Sequence, residues 1–198
     1  MASLALSSLH VHPVKSCRGF SPGRWALDRF GLAHDRSFMV VDEGGRCLTQ
    51  REHPALARVA TRIDGERLLL SLPGQEEVAL PLAAPSAPRR EVQVWRHVGP
   101  ALDRGGEAAA LFSGLLGLPC RLVSVPHDHA RRVNPERFPG EAHTAFSDGY
   151  PLLLLSEASI EALNRRLPKP LPMNRFSPNL VVRGCEPFAE DGWKRIRV

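Results

Sequence analysis

A few short stretches carry residue types suited to holding an anion. Pro13-Val14-Lys15-Ser16-Cys17 sets an ammonium, a hydroxyl and free backbone N–H groups at a strand-to-loop junction, a combination that receives negative charge well. Taken alone, an ordinary surface turn explains the same residues more often. His34-Asp35-Arg36-Ser37 and Leu48-Thr49-Gln50-Arg51-Glu52 each place an arginine beside a strand-like run, and the guanidinium fork matches phosphate and carboxylate. The plainer alternative is exposed arginine paired with Asp35 or Glu52, which contributes little. In Leu155-Ser156-Glu157-Ala158-Ser159 an apolar strand feeds a serine-capped helix. Such a helix start presents unpaired N–H groups and the positive end of the dipole, although Ser156 is first of all a cap. In Asn174 to Val182, Asn179 opens a strand and Arg175 could face the same cavity; an exposed loop fits equally. His127-Asp128-His129 offers two histidines on one side of an extended segment. Two ligands do not close a metal site, so a polar loop is the preferred reading.

Other chemistries lack their signatures. The sequence has no G-x-G-x-x-G, P-loop, G-x-S-x-G or H-E-x-x-H pattern, so nucleotide-binding and hydrolase readings have no support. Cys17, Cys47, Cys120 and Cys185 are scattered, without C-x-x-C spacing, and read as free, mostly buried thiols. The net charge of +5 comes chiefly from dispersed arginines, and aromatics make up only 6%; neither clusters as a nucleic-acid surface would. No apolar run approaches the ~20 residues that span a bilayer, and the N-terminus has no basic-then-apolar signal pattern. The expectation is a cytoplasmic protein that binds neither nucleic acid nor membrane.

The positioning elements are mainly strands. Leu4, Leu6, Leu9 and Val11 alternate imperfectly, and Phe38 to Val41 and Arg46 to Thr49 flank Asp42-Glu43-Gly44-Gly45 as a hairpin. Arg67 to Leu72 and Glu77 to Leu82 flank a Pro73-Gly74 turn, and Glu91 to Trp95 alternates cleanly. Many short strands with regular turns predict a barrel or sandwich. Pro81 to Pro88 is either a linker or a loop inside one β-domain. A helix is predicted over Glu107 to Leu116, stopped by Gly117, and strands over Arg121 to Val125, Leu152 to Leu155 (buried) and Asn179 to Val182. Ser156 caps a second helix running to Leu167, which Pro168 ends. Trp193 to Val198 reads as the start of a further strand, which suggests a natural domain that continues.

Singly these signals are weak; their order resembles one family. Residues 4–72, through HPVKSC and GLAHDRSFMVVDEGGRCLTQREHP, look like the MOSC N-terminal β-barrel domain, and residues 119–198, through FSDGYPLLLLSEASIEALNRRL and RFSPNLVVRGCEPFAEDGW, look like the first part of the MOSC domain. The chain is similar to the branches that contain the mitochondrial amidoxime-reducing components and the bacterial reductases of N-hydroxylated bases. The resemblance implies a mainly β fold with a few helices, a β-barrel-like domain over 1–118 packed on an incomplete MOSC barrel over 119–198. It implies a pyranopterin molybdenum cofactor between them, held by Lys15, Ser16, Arg36 and Arg51 on one side and Ser156, Arg175 and Asn179 on the other. Ser177 stands where the family has arginine in R-F-x-P-N, and Arg175 is read as its substitute. The molybdenum-coordinating cysteine of the family is expected beyond Val198, so no catalytic residue or metal ligand is assigned in this chain, and the cofactor is expected to be absent or incompletely held. Cys185 and Cys17 match other positions of the motifs.

The function implied is an oxidoreductase that, at full length, reduces N-hydroxylated compounds. Electrons would come from a donor protein or an appended ferredoxin-like domain. A non-catalytic pterin- or anion-binding module is the alternative. A sulfur carrier is a weaker third reading, because it needs an exposed thiol of lowered pKa.

Overall fold

Phe38–Asp42 shows why strands dominate. Phe38 and Val40 join Leu68, Leu70, Phe112 and Leu122 in one core cluster, whereas Met39 and Val41 join Val92, Val94, Val123 and Phe146 in another. Side chains of a strand alternate between faces, so an unbroken apolar run is buried on both. Each such side chain contributes about 1.5–3 kcal/mol by leaving water. The structure is a computed structural model and describes residues 3–197. It is mainly β, with two α-helices.

The chain divides into two compact units, each assembled from separate segments. The larger comprises His12–Phe20 and Leu27–Pro151. Its four-stranded antiparallel sheet runs in the order Phe38–Asp42, Cys120–Ser124, His97–Asp103, Arg89–Val94. A three-stranded antiparallel sheet joins Ala60–Asp64, Arg67–Ser71 and Val78–Pro81. Helix α1 (Gly106–Leu116) buries Ala108, Leu111 and Phe112, and ends where Gly117 turns left-handed at φ 67°. At the turn after Asp42, Gly45 has φ 81°, and a Cβ there would collide with the Glu91 carbonyl; only glycine suits the position. Pro81 to Pro88 lies inside this unit, between two of its strands.

The smaller unit comprises the residues up to Val11, Ser21–Ala26 and those from Leu152 onward. Its sheet has the order Ala5–Leu9, Leu180–Arg183, Leu154–Ser156. The first pair is antiparallel, with an irregularity between Leu6 and Ser8, and the second is parallel. Parallel strands require a crossover, which contains helix α2 (Glu157–Asn164).

Three expectations on elements change. Leu152 to Leu155 is not a buried strand: pairing starts at Leu154, and Leu152 and Leu153 are 37% and 41% exposed. The strand lies at the sheet edge, with a neighbour on one side only. Helix α2 stops at Asn164 rather than Leu167, because the Asn164 side chain accepts from the Leu171 N–H at 2.8 Å and donates to its carbonyl at 2.9 Å. Residues 193–197 form no strand, and Val198 lies outside the described residues. No helix among the described residues is long and apolar enough to cross a membrane.

Candidate cofactor-binding site

Backbone hydrogen bonds bring the first anion-friendly stretches together in the larger unit. Lys15 N–H donates to Phe38 O at 2.8 Å, Phe38 N–H to Pro13 O at 3.0 Å and Arg36 N–H to His12 O at 2.7 Å. Phe146 N–H donates to Arg36 O at 3.0 Å, which brings in the segment leading to Asp148. The Gln50 side chain donates to Ser16 O at 2.7 Å and ties down the loop that carries Arg51. Ser16 and Arg36 both adopt left-handed backbone, at φ 68° and 47°. Non-glycine residues are rarely held that way, and such strain gathers at functional sites.

Lys15, Ser16, Arg36 and Arg51 thus belong to one neighbourhood, whose centre is Trp95 and Asp148. Lys15 Nζ donates to Asp148 Oδ1 at 2.5 Å, and the Trp95 indole N–H donates to the same oxygen at 3.0 Å. Lys15 Nζ and the Arg51 guanidinium lie 5.7 and 5.4 Å from the Trp95 ring centre, within cation–π range. Arg51 has no ion pair among the described residues; Glu52 pairs instead with Arg46 at 2.9 Å. Asp35 is buried, accepts the His12 N–H at 2.8 Å and pairs with Arg36 at 2.5 Å. A cavity of about 290 Å³ opens among Arg46, Cys47, Thr49, Arg51, Gln93 and Trp95.

Lys15 is buried whereas the Asp148 side chain is 68% exposed. Desolvation raises the Asp148 pKa, but Lys15, the Trp95 N–H and Arg36 outweigh it, and the carboxyl is held below its ordinary value. A depressed carboxyl pKa stabilises the fold above the unfolded value, near 4, and that stability is lost as pH falls through the folded value. Solvent screening keeps the effect below about 1 kcal/mol. Urea denaturation from pH 6 down to pH 2 should therefore show a shallower acid loss in Asp148→Asn than in the parent. An identical slope would contradict the pairing.

Three of the four thiols are buried and held in their protonated form. Burial pushes Cys47 up to about 11 and Cys17 higher still. Cys120 is raised by burial, partly offset by its Ser113 hydrogen bond. Only Cys185 is not buried. At pH 8 a thiol of pKa 11 is ionised in about one molecule per thousand. Alkylation of the native protein, read by mass spectrometry, should label Cys185 alone; rapid labelling of Cys47 would contradict its environment.

In the smaller unit the residues are more committed. Ser156 Oγ accepts the Ser159 N–H at 3.1 Å as the cap of α2, while the Ser156 N–H donates to Glu190 Oε1 at 2.8 Å. A carboxylate of the chain itself thus meets this helix start. Asn179 accepts the Leu153 N–H at 3.1 Å and donates to His10 O at 3.2 Å, a clamp across the ends of strands. Arg175 sits exposed in a single helical turn, Met173–Phe176. His127 and His129 offer backbone carbonyls to Arg29, and Asp128 pairs with Arg89. No group of three or more metal-ligating side chains occurs among the described residues.

The MOSC N-terminal beta barrel domain matches residues 3–119, and the MOSC domain matches residues 141–198. The chain belongs to the MOSC family. It is 34% identical to rat (Rattus norvegicus) mitochondrial amidoxime reducing component 2 over 98% of this chain and 60% of that protein. It is 33% identical to the molybdenum cofactor sulfurase of Arabidopsis thaliana over 98% of this chain and 26% of that protein. The MOSC chain therefore spans about three-fifths or less of the length of these relatives. A solution structure of a Bordetella bronchiseptica protein, 25% identical, covers 56% of this chain and 93% of that one with a TM-score of 0.44, too distant to carry an argument.

Two residues of this cluster, Asp148 and Trp95, carry little mark in the sequence. Asp148 lies within the FSDGYP motif, 133 positions from Lys15, and an acidic residue is not the type sought for an anion site. Trp95 closes the alternating strand and offers an indole N–H. Its exposed position at a strand end is the one signal that marks it.

Proposed function

We propose that this MOSC chain holds a pyranopterin molybdenum cofactor and, within the whole protein, serves the reduction of N-hydroxylated compounds such as amidoximes or N-hydroxylated bases. The carrying observation is the gathering of Lys15, Ser16, Arg36 and Arg51 around the Trp95 indole and Asp148. The donor set fits the group. A phosphate-bearing, flat heterocycle needs cations, N–H donors and a ring face, and all three stand beside a cavity of about 290 Å³. When bound, the cofactor supplies redox chemistry at molybdenum, and the protein supplies orientation and electrostatics.

In this reading Lys15 and Arg51 neutralise the phosphate and Arg36 contacts the polar edge. Asp35 keeps Arg36 in place, and Asp148 orients Lys15. Within the smaller unit Ser156 and Asn179 are engaged as cap and clamp, and Arg175 has the least committed side chain of the three. The sequence domains are taken as 1–118 and 119–198. Electrons arrive from a separate donor protein or an appended ferredoxin-like domain, and the protein works in the cytoplasm. The sulfur-carrier alternative finds no support in Cys17, Cys47 and Cys120, which are buried with raised pKa values.

The whole protein, loaded with cofactor and supplied with a reduced viologen dye, should convert an aryl amidoxime to the amidine. Cofactor-replete protein without that activity would favour the non-catalytic binding module.

A further inference from the structure

Arg104 is a buried charge with no carboxylate partner among the described residues. It is 7% exposed, donates to the Pro81 carbonyl and, at 3.4 Å, to the Ser124 hydroxyl, and lies 5.4 Å over the Phe38 ring. Its Nε–H finds no acceptor among the described residues. The adjacent Asp103 is occupied elsewhere, by Arg90 at 2.6 Å and Arg121 at 3.9 Å. Desolvation lowers the Arg104 pKa from its ordinary value. Burying such an ion without an anion is unfavourable by several kcal/mol.

The same side chain lines a cavity of about 830 Å³ in the larger unit, whose walls include Phe30, Phe38, Leu82, Leu102 and Val125. This cavity shares no lining residue with the one beside Trp95. The other charged side chains around it, Asp28, Arg29, Glu66, Arg89 and Asp128, are all exposed to solvent. Arg89 pairs with Asp128 at 2.7 Å, and Arg29 donates to the His127 and His129 carbonyls at 2.6 and 3.3 Å. Asp28 accepts the backbone N–H of Phe30 at 2.6 Å and of His34 at 3.4 Å. Glu66 and the imidazoles of His34 and His127 complete the titratable lining.

We propose that this cavity binds a small monocarboxylate with an apolar, aryl-sized body, its carboxylate meeting Arg104. One unmatched buried cation favours a monoanion over a phosphate dianion. The apolar walls favour a hydrophobic body, and 830 Å³ lies in the range of small-molecule sites.

Calorimetry and thermal melting of the full chain with 3-phenylpropionate test this directly. The acid should bind at one site and raise the melting temperature. The uncharged 3-phenylpropanamide should bind at least about tenfold more weakly, and inorganic phosphate should not compete. Arg104→Met should lose the preference for acid over amide. Ala84→Trp, which narrows the cavity and leaves Arg104 in place, should lose both ligands and decides the matter if Arg104→Met fails to fold. Equal binding of acid and amide, effective competition by phosphate, no binding to the parent chain, or undiminished binding by Ala84→Trp would each overturn the proposal.

Discussion

Replacing Lys15 and Arg51 together by alanine is expected to weaken pterin-cofactor binding by about a thousandfold and to leave the fold intact. A charge-assisted hydrogen bond contributes about 1.5–3 kcal/mol, which is about ten- to a hundredfold in affinity for each residue. Both changes should be tolerated structurally. Arg51 is exposed and has no ion pair among the described residues, and Lys15 leaves behind a carboxylate that is already 68% exposed and can be solvated. Cofactor affinity and urea stability, measured on the same preparations, separate the two outcomes. Unchanged affinity would remove these residues from the site, and affinity lost together with the fold would make them structural.

Asp35→Ala is expected to produce the largest loss of stability, about 3–5 kcal/mol. The Asp35 side chain is completely buried. Its removal takes the acceptor from the His12 N–H and the carboxylate from Arg36. Breaking a buried pair by deleting one partner costs far more than breaking an exposed one. Asp35→Asn keeps an acceptor for the His12 N–H and should lose less. Because Arg36 holds a left-handed backbone at φ 47°, cofactor affinity should fall in both variants. A loss below 1 kcal/mol in Asp35→Ala would show that the pair behaves like a surface salt bridge.

The elements were legible where local chemistry decides them. Gly117 stops α1 and Ser156 starts α2, because each answers a backbone demand that neighbouring residues reveal. What escaped depends on contacts between distant segments. The strand Ala5–Leu9 pairs with Leu180–Arg183, and no local pattern announces that pairing. Asp35 looked like the partner of an exposed arginine and is a buried anchor, whereas Glu52 prefers Arg46 to its neighbour Arg51. Arg104 was one arginine among many dispersed ones, since burial of a single charge leaves no periodic trace in the sequence. Lys15, Ser16, Arg36 and Arg51 were singled out by residue type together with the family resemblance; Asp148, which meets Lys15, required the fold. For Ser156 and Asn179 the side chains proved engaged within their own unit, as cap and as clamp.

The proposed pterin-cofactor cradle rests on Lys15 and Arg51. The pterin content of the whole protein, purified from a host that makes the cofactor, is the measurement to make, by fluorescence after oxidation, in the parent and in the Lys15→Ala, Arg51→Ala double variant. About one pterin per chain in the parent and almost none in the folded double variant is the predicted result. A folded parent that emerges free of pterin, or a double variant that retains it, would contradict the account.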